Sequence, residues 1–152
     1  MKKFIGIEMI EAEPMTAGEA ITKGYLMVKH EGVGPSNEEE GYHVRYVDGY
    51  DSWSPKYVFD KAYFGLEKSD CITSTDIKNF TKNIYSTKVG TKTTNTTIEC
   101  ITGYEVQGQS SCVNPENFSL TIGEKYARLR AEDSIWAGLG FVLQWAKYGL
   151  NK

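Results

Sequence analysis

The sequence predicts an α+β protein, with small antiparallel sheets, helices, and a long C-terminal helix that packs in a homo-oligomer. Three observations carry this. Tyr42–Val47 alternates between two faces and runs into Asp48-Gly49, a hairpin turn pair. Thr96–Ile101 and Tyr104–Gln109 read as two more strands around Thr102-Gly103. From Ile122 to about Lys147, apolar residues recur at helical spacing.

Composition sets the frame. The chain has 152 residues, 40% hydrophobic and 24% charged, with a net charge of −3. This is the balance of a folded globular protein. The charge is uneven: residues 1–66 hold seven Lys/Arg and eleven Asp/Glu, and residues 67–152 hold ten and nine. A boundary is placed near Gly65–Ser69, dividing the chain into units 1–66 and 67–152. The run Phe4–Ile7 is too short for a signal-peptide core, so no export is expected. No stretch approaches the roughly 20 apolar residues that span a bilayer, so no membrane partner is expected. Cys71, Cys100 and Cys112 are an odd set without a Cys-x-x-Cys. They read as reduced thiols in a cytoplasm, with no metal site.

In the first unit, Lys3–Ile10 is expected to be a strand, broken by Pro14 and Gly18. Gly24–His30 is a second strand and Gly32–Glu40 an exposed loop. Tyr42–Val47 follows, with Tyr42, Val44 and Tyr46 on one face and His43, Arg45 and Val47 on the other, His43 facing solvent. Tyr50–Trp53 returns beyond the turn, and Ser54-Pro55 starts a helix reaching about Tyr63.

In the second unit, Thr73–Asp76 starts a helix that carries Ile77, Phe80, Ile84 and Tyr85. Ser86–Asn95 is an exposed connection. A two-residue turn at Thr102-Gly103 sets Ile101 opposite Tyr104 and leaves apolar residues on both faces of the sheet. Such a sheet is covered on both sides. Ser110–Asn117 is a polar loop, and Thr121–Glu124 matches a capping box for the long helix. That helix shows Ile122, Tyr126, Leu129, Trp136, Leu139 and Leu143 along one side, with Ile135, Phe141, Val142 and Trp145 beyond it. Gly138 and Gly140 suggest a close backbone approach. An apolar surface wider than one stripe predicts packing against a partner chain.

No nucleophile motif or acid–base pair stands out, and no enzymatic activity or cofactor is expected. The binding signal lies at the start of the long helix, where Lys125, Arg128 and Arg130 sit in the first turns. Arg128 offers a fork for phosphate, and a helix N-terminus adds amide donors. Asn114 and Asn117 lie in the adjacent loop, and Tyr104 in the hairpin is an aromatic that could stack on a base. Together these suit a small anionic nucleotide. The competing reading pairs Arg128 and Arg130 with Glu124, Glu132 and Asp133 on a solvated helix, and composition alone favours it. Long nucleic acid is not expected, because no basic stripe or stacking platform is present.

The segment Thr94–Gln144 resembles a family of small phage proteins. It carries the Gly-aromatic-x-Val-x-Gly-x-Ser hairpin end as Gly103–Ser110 and the Ser-Cys-Val-x-Pro-x-Asn-Phe loop as Ser111–Phe118. The Ile-Gly-x-Lys-x-Ala-Arg helix follows as Ile122–Arg128, ending in Ile135-Trp136. "STDIKNFTKNIYSTK" is similar to the family's N-terminal helix. The family is the gene-49/gene-66-like phage family, with which the first Thoeris anti-defence proteins are associated. "IEAEPMT" and "GYHVRYVDGYDSWSPKYVFDKAY" resemble an accessory module fused to small phage proteins.

The resemblance implies a non-enzymatic sponge in the cytoplasm of the infected bacterium. It would bind a cyclic nucleotide immune signal, a cyclic ADP-ribose isomer made by TIR-domain enzymes; some members also resemble sponges for cyclic oligonucleotides. Oligomers of this kind hold ligand between subunits. Carried over by position, the site residues are Tyr104, Asn114, Asn117, Lys125, Arg128 and Arg130. The alternative is a protein–protein interaction module in which the acidic, Tyr-rich first unit contacts a host factor.

Overall fold

The structure, a computed structural model, describes residues 1–27 and 34–151. The chain forms two compact units, Met1–Gly65 and Leu66–Lys152. Each has its own three-stranded antiparallel sheet, so the α+β architecture with a long C-terminal helix holds.

In the first unit β1 (Glu11–Thr16), β2 (Glu40–Arg45) and β3 (Asp51–Pro55) form a sheet in that order. The first strand is therefore not Lys3–Ile10, which is irregular. Pro14 does not break the strand, because β1 is an edge and a missing N–H on its outer side costs no ladder bond. Thr16 ends β1 and caps α1 (Ala17–Lys23), with Glu19 closing a capping box. Gly24, at φ +80°, closes α1 instead of opening a strand. The chain at Tyr25–Met27 is irregular, not strand, and residues 28–30 of the expected strand and 32–33 of the expected loop lie outside the described residues.

Gly41 has no Cβ, and that space holds the Trp53 ring, whose Nε1 reaches across β2 to the Met15 carbonyl at 2.8 Å. The Asp48-Gly49 turn is present, with Gly49 at φ +84°. Helix α2 (Lys56–Ala62) begins one residue later than expected: Pro55 is the cap position, and the Ser54 side chain makes no capping bond. Phe59 on α2 stacks on Tyr42 at 4.1 Å.

The second unit contains α3 (Ser74–Phe80), β4 (Thr81–Val89), β5 (Thr93–Cys100), β6 (Glu105–Ser111) and α4 (Leu120–Tyr148). Thr73 caps α3 through a box with Asp76. The helix stops at Phe80, and Ile84 and Tyr85 belong to β4. Ser86–Asn95 is accordingly strand, turn and strand, not an exposed connection. β-branched residues at every second position, Thr87 and Val89 then Thr94 and Thr96, favour extended chain.

The β5–β6 register pairs Ile98 with Val106 and Glu99 with Glu105, one residue away from the two-residue hairpin. The connection is the three-residue loop Ile101-Thr102-Gly103, in which Gly103 takes φ +83° and Cys100 bonds the Tyr104 carbonyl. One residue of slip moves every side chain to the other face. The observed sheet thus has one buried face, with Thr94, Thr96, Ile98, Cys100, Val106 and Gly108, and a polar outer face.

Helix α4 covers the buried face with Ala127, Ala131, Ile135, Leu139 and Leu143, an i, i+4 row. Gly123, Ala127 and Ala131 are small, so the first half of α4 lies close against the sheet. Gly108 on β6 sits under the Ala127 carbonyl and Ala131, with no room for a side chain. Ile135 and Leu139 then fill a wider gap and join Ile77, Ile98, Cys100 and Val106 in the core.

This corrects the expected stripe. Ile122, Tyr126, Leu129 and Trp136 are exposed, as are Phe141 and Val142. Gly138 and Gly140 face open space, whereas the close approaches are at Gly108 and Gly123. The cap of α4 is Ser119, whose hydroxyl accepts the Ile122 N–H, not Thr121 with Glu124.

Candidate functional site

The loop between β6 and α4 is tied down at several points. The Asn114 side chain accepts the Glu116 N–H at 3.0 Å and starts the 3-10 turn Pro115–Asn117. Cys112 N–H bonds the Lys92 carbonyl at 3.0 Å, which fixes the loop to the β4–β5 turn. Lys88 Nζ lies 4.4 Å from the centre of the Phe118 ring. Between this loop, the end of the sheet and the first turn of α4 is a cleft of about 200 Å³. Lys92, Thr94, Ser110, Ser111, Asn117 and Tyr126 border it.

Beside it, on the exposed side of α4, lies a groove formed by Thr121, Glu124, Lys125, Arg128, Leu129 and Glu132. Arg128 donates from Nε to Glu132 Oε1 at 2.7 Å. This is the pairing that the solvated-helix reading expects, for this one cation. Arg130 instead donates to the Gln109 backbone carbonyl on β6. Lys125 Nζ lies over the Tyr126 ring, 5.8 Å from its centre.

The six residues named from the sequence are thus distributed. Asn117 borders the cleft, and Lys125 and Arg128 border the groove. Asn114 uses its side chain as a cap, and Arg130 is committed to the sheet edge. Tyr104 is 72% exposed at the far end of β6. That seven-residue strand separates it from the Ser111 end by roughly 24 Å at 3.4 Å per residue. One chain therefore does not bring Tyr104 to the α4 start.

Lys92 and Thr94 were missed as site residues. The signal was present in the alternation Thr94, Thr96, Ile98, Cys100, which puts the threonines on the buried face.

A second polar cluster lies in the first unit. His43 does not face solvent: it is 8% exposed, with Nδ1 3.2 Å from Glu13 and Nε2 2.7 Å from Asp51. Tyr25 stacks on it at 4.2 Å. The Arg45 guanidinium, and then His43, hold the Asp51 carboxyl below its ordinary range. Among the described residues, no group of three or more His, Cys, Asp or Glu is placed to hold a metal ion. No described helix is long and apolar enough to cross a membrane.

The hairpin, the loop and α4 that build the cleft and groove all lie in a segment with known relatives. The chain belongs to the phage protein (N4 Gp49/phage Sf6 gene 66) family, whose model matches residues 71–146. The match runs from just before α3 almost to the end of α4. No curated protein and no solved structure matches the chain.

Proposed function

We propose that the protein is a phage anti-defence protein that sequesters a cyclic nucleotide immune signal, a cyclic ADP-ribose isomer, without degrading it. It acts in the cytoplasm of the infected bacterium as a homo-oligomer. The observation that carries this is the juxtaposition, within the family segment, of a donor-lined cleft and a groove bearing Lys125 and Arg128.

Arg128 is available despite its partner. An exposed i, i+4 ion pair contributes only about 0.3–0.5 kcal/mol, far less than a phosphate can offer. Tyr104 fits the same picture through assembly. With the hairpin tip and the α4 start at opposite ends of one sheet, a second copy supplies the stacking ring to the first copy's cations. The exposed Tyr126, Leu129, Trp136 and Phe141 give α4 an apolar surface for such a contact. Sequestration demands tight binding: a nanomolar dissociation constant corresponds to about −12 kcal/mol, reached more readily in a pocket closed between subunits.

The test is to incubate the purified protein with TIR-generated signal, remove the free pool and denature the protein. Intact signal should be released. Recovery of nothing would sink the reading, and recovery of a cleaved product would make the protein an enzyme.

A further inference from the structure

The sheet edges of this protein are guarded against further pairing, except at β4. In the first unit β1 carries Pro14 and β3 is only five residues long. In the second, Arg130 takes the Gln109 carbonyl on the open side of β6. β4 is nine residues long, and its guards stop at its beginning. A bulge falls at Lys82, and Lys82 and Asn83 are tied to Glu99. Further on, Lys88 is held over the Phe118 ring. The direction of the free backbone groups follows from the ladder. The Cys100 amide bonds the Tyr104 carbonyl, and the Cys112 amide bonds the Lys92 carbonyl. Even-numbered residues of β5 therefore face β6, and odd-numbered ones face β4. Asn95 and Thr97 pair with Thr87 and Tyr85. The N–H and C=O groups of Ile84, Ser86 and Lys88 thus point away from β5, and no bond to them falls among the described residues. Tyr85, Thr87 and Val89 alternate with them on the outer face of the sheet, all three exposed.

We propose that β4 pairs antiparallel with β4 of a second copy, about a two-fold axis at Thr87, and joins the two sheets into one. This rests on the assembly part of the sequestration reading and deepens it, but uses none of its ligand residues. The strand is self-complementary in this register. On the outer face Thr87 meets Thr87, and Tyr85 of each copy meets Val89 of the other. These are the closer, non-hydrogen-bonded kind of cross-strand pair, where an aromatic against a β-branched residue is favourable. The outward backbone groups of Ser86 exchange bonds with those of Lys88 in the other copy. Charge selects this register from its neighbours. An axis at Lys88 sets Lys88 against itself, one at Tyr85 sets Lys88 against Lys82, and one at Ser86 sets Lys88 against Ile84. With the axis at Thr87 the lysine meets Ser86, and no like charges face each other between residues 84 and 90.

The experiment uses the full-length protein carrying Cys71→Ser and Cys112→Ser. Thr87→Cys in that background should form a disulfide-linked dimer on mild oxidation, because Cα atoms in such a pair lie about 4.5 Å apart. Asn95→Cys, beside Thr87 on β5, should stay unlinked, because three strand spacings, about 14 Å, separate the two copies there. Tyr85→Lys with Val89→Lys sets like charges opposite each other. It should lower the sedimentation mass of the native assembly at least about twofold while the circular dichroism stays that of the folded protein. Tyr85→Lys with Val89→Glu should restore the mass. A parent protein that sediments as a monomer would overturn the proposal. So would equal linking at positions 87 and 95, or an assembly that the paired lysines leave intact. Retained immune signal without the Thr87→Cys link would sink this inference alone. Pairing through β4 in a protein that retains no signal would sink the sequestration reading alone.

Discussion

Gly123 on α4 lies directly over Thr94 on β5, so close that a Cβ at position 123 would overlap the threonine hydroxyl. The same closeness recurs at Gly108, where the obstacle is the backbone of α4 itself. Overpacking typically costs 1–3 kcal/mol, and a helical glycine gains back about 1 kcal/mol on becoming alanine. Gly123→Ala should therefore destabilise by up to about 2 kcal/mol. Gly108→Ala, which cannot be relieved by moving one side chain and gains no helix propensity, should cost about 3 kcal/mol. Urea denaturation midpoints check both. Equal stability of Gly108→Ala and wild type would mean that α4 does not rest on β6 as described.

Thr94→Val should behave oppositely. It keeps the shape of the side chain and removes a hydroxyl that has no partner. Relief of that desolvation should stabilise the protein by about 1 kcal/mol, read as a higher urea midpoint. A loss of stability would show that the hydroxyl is satisfied in solution.

Asp76 makes the protein sensitive to acid. Burial raises the proton affinity of its carboxyl, but bonds from the Glu67 and Thr73 amides and the Thr73 hydroxyl outweigh this and hold it below the usual range. A carboxyl lowered in the folded state contributes stability above its unfolded value, near 3.9, and loses it as pH falls through the folded value. Stability of the wild type should drop below about pH 4. Asp76→Asn should be less stable at neutral pH, by about 1 kcal/mol as for a lost cap, and should show a flatter acid limb.

Arg128→Ala separates folding from binding. Its pair with Glu132 is exposed on the arginine side, so stability should change by no more than about 0.5 kcal/mol. Affinity for the immune signal should fall at least about tenfold, the loss of one charge-assisted contact. Unchanged affinity, measured by calorimetry, would remove Arg128 from the site.

The elements most legible in the sequence carried their own local chemistry. Asp48-Gly49 marked its turn, and Thr73–Asp76 marked the start of α3. What failed was decided at longer range. Pro14 looked like a breaker because nothing in the sequence says that β1 is an edge strand. Ile77, Phe80 and Ile84 match a helix and also a helix that stops at Phe80, and the threonine alternation of β4 and β5 should have decided between them. The α4 stripe was misread because large apolar residues were taken as the buried ones. The sheet in fact accepts the smallest, Gly123, Ala127 and Ala131, and leaves Tyr126 and Trp136 outside. The site was half legible: cation positions on a helix follow from spacing, but which cation pairs locally, as Arg128 and Arg130 do, depends on neighbours that only the fold supplies.

The most direct measurement of the central claim is the recovery experiment on the full-length protein. TIR-generated signal is mixed with protein, free ligand is removed, and the denatured sample is analysed for signal by chromatography. Intact signal should be recovered in fixed proportion to subunits, with nucleotide absorbance accompanying the native protein. A protein that carries no nucleotide and instead retains a host protein would contradict the account.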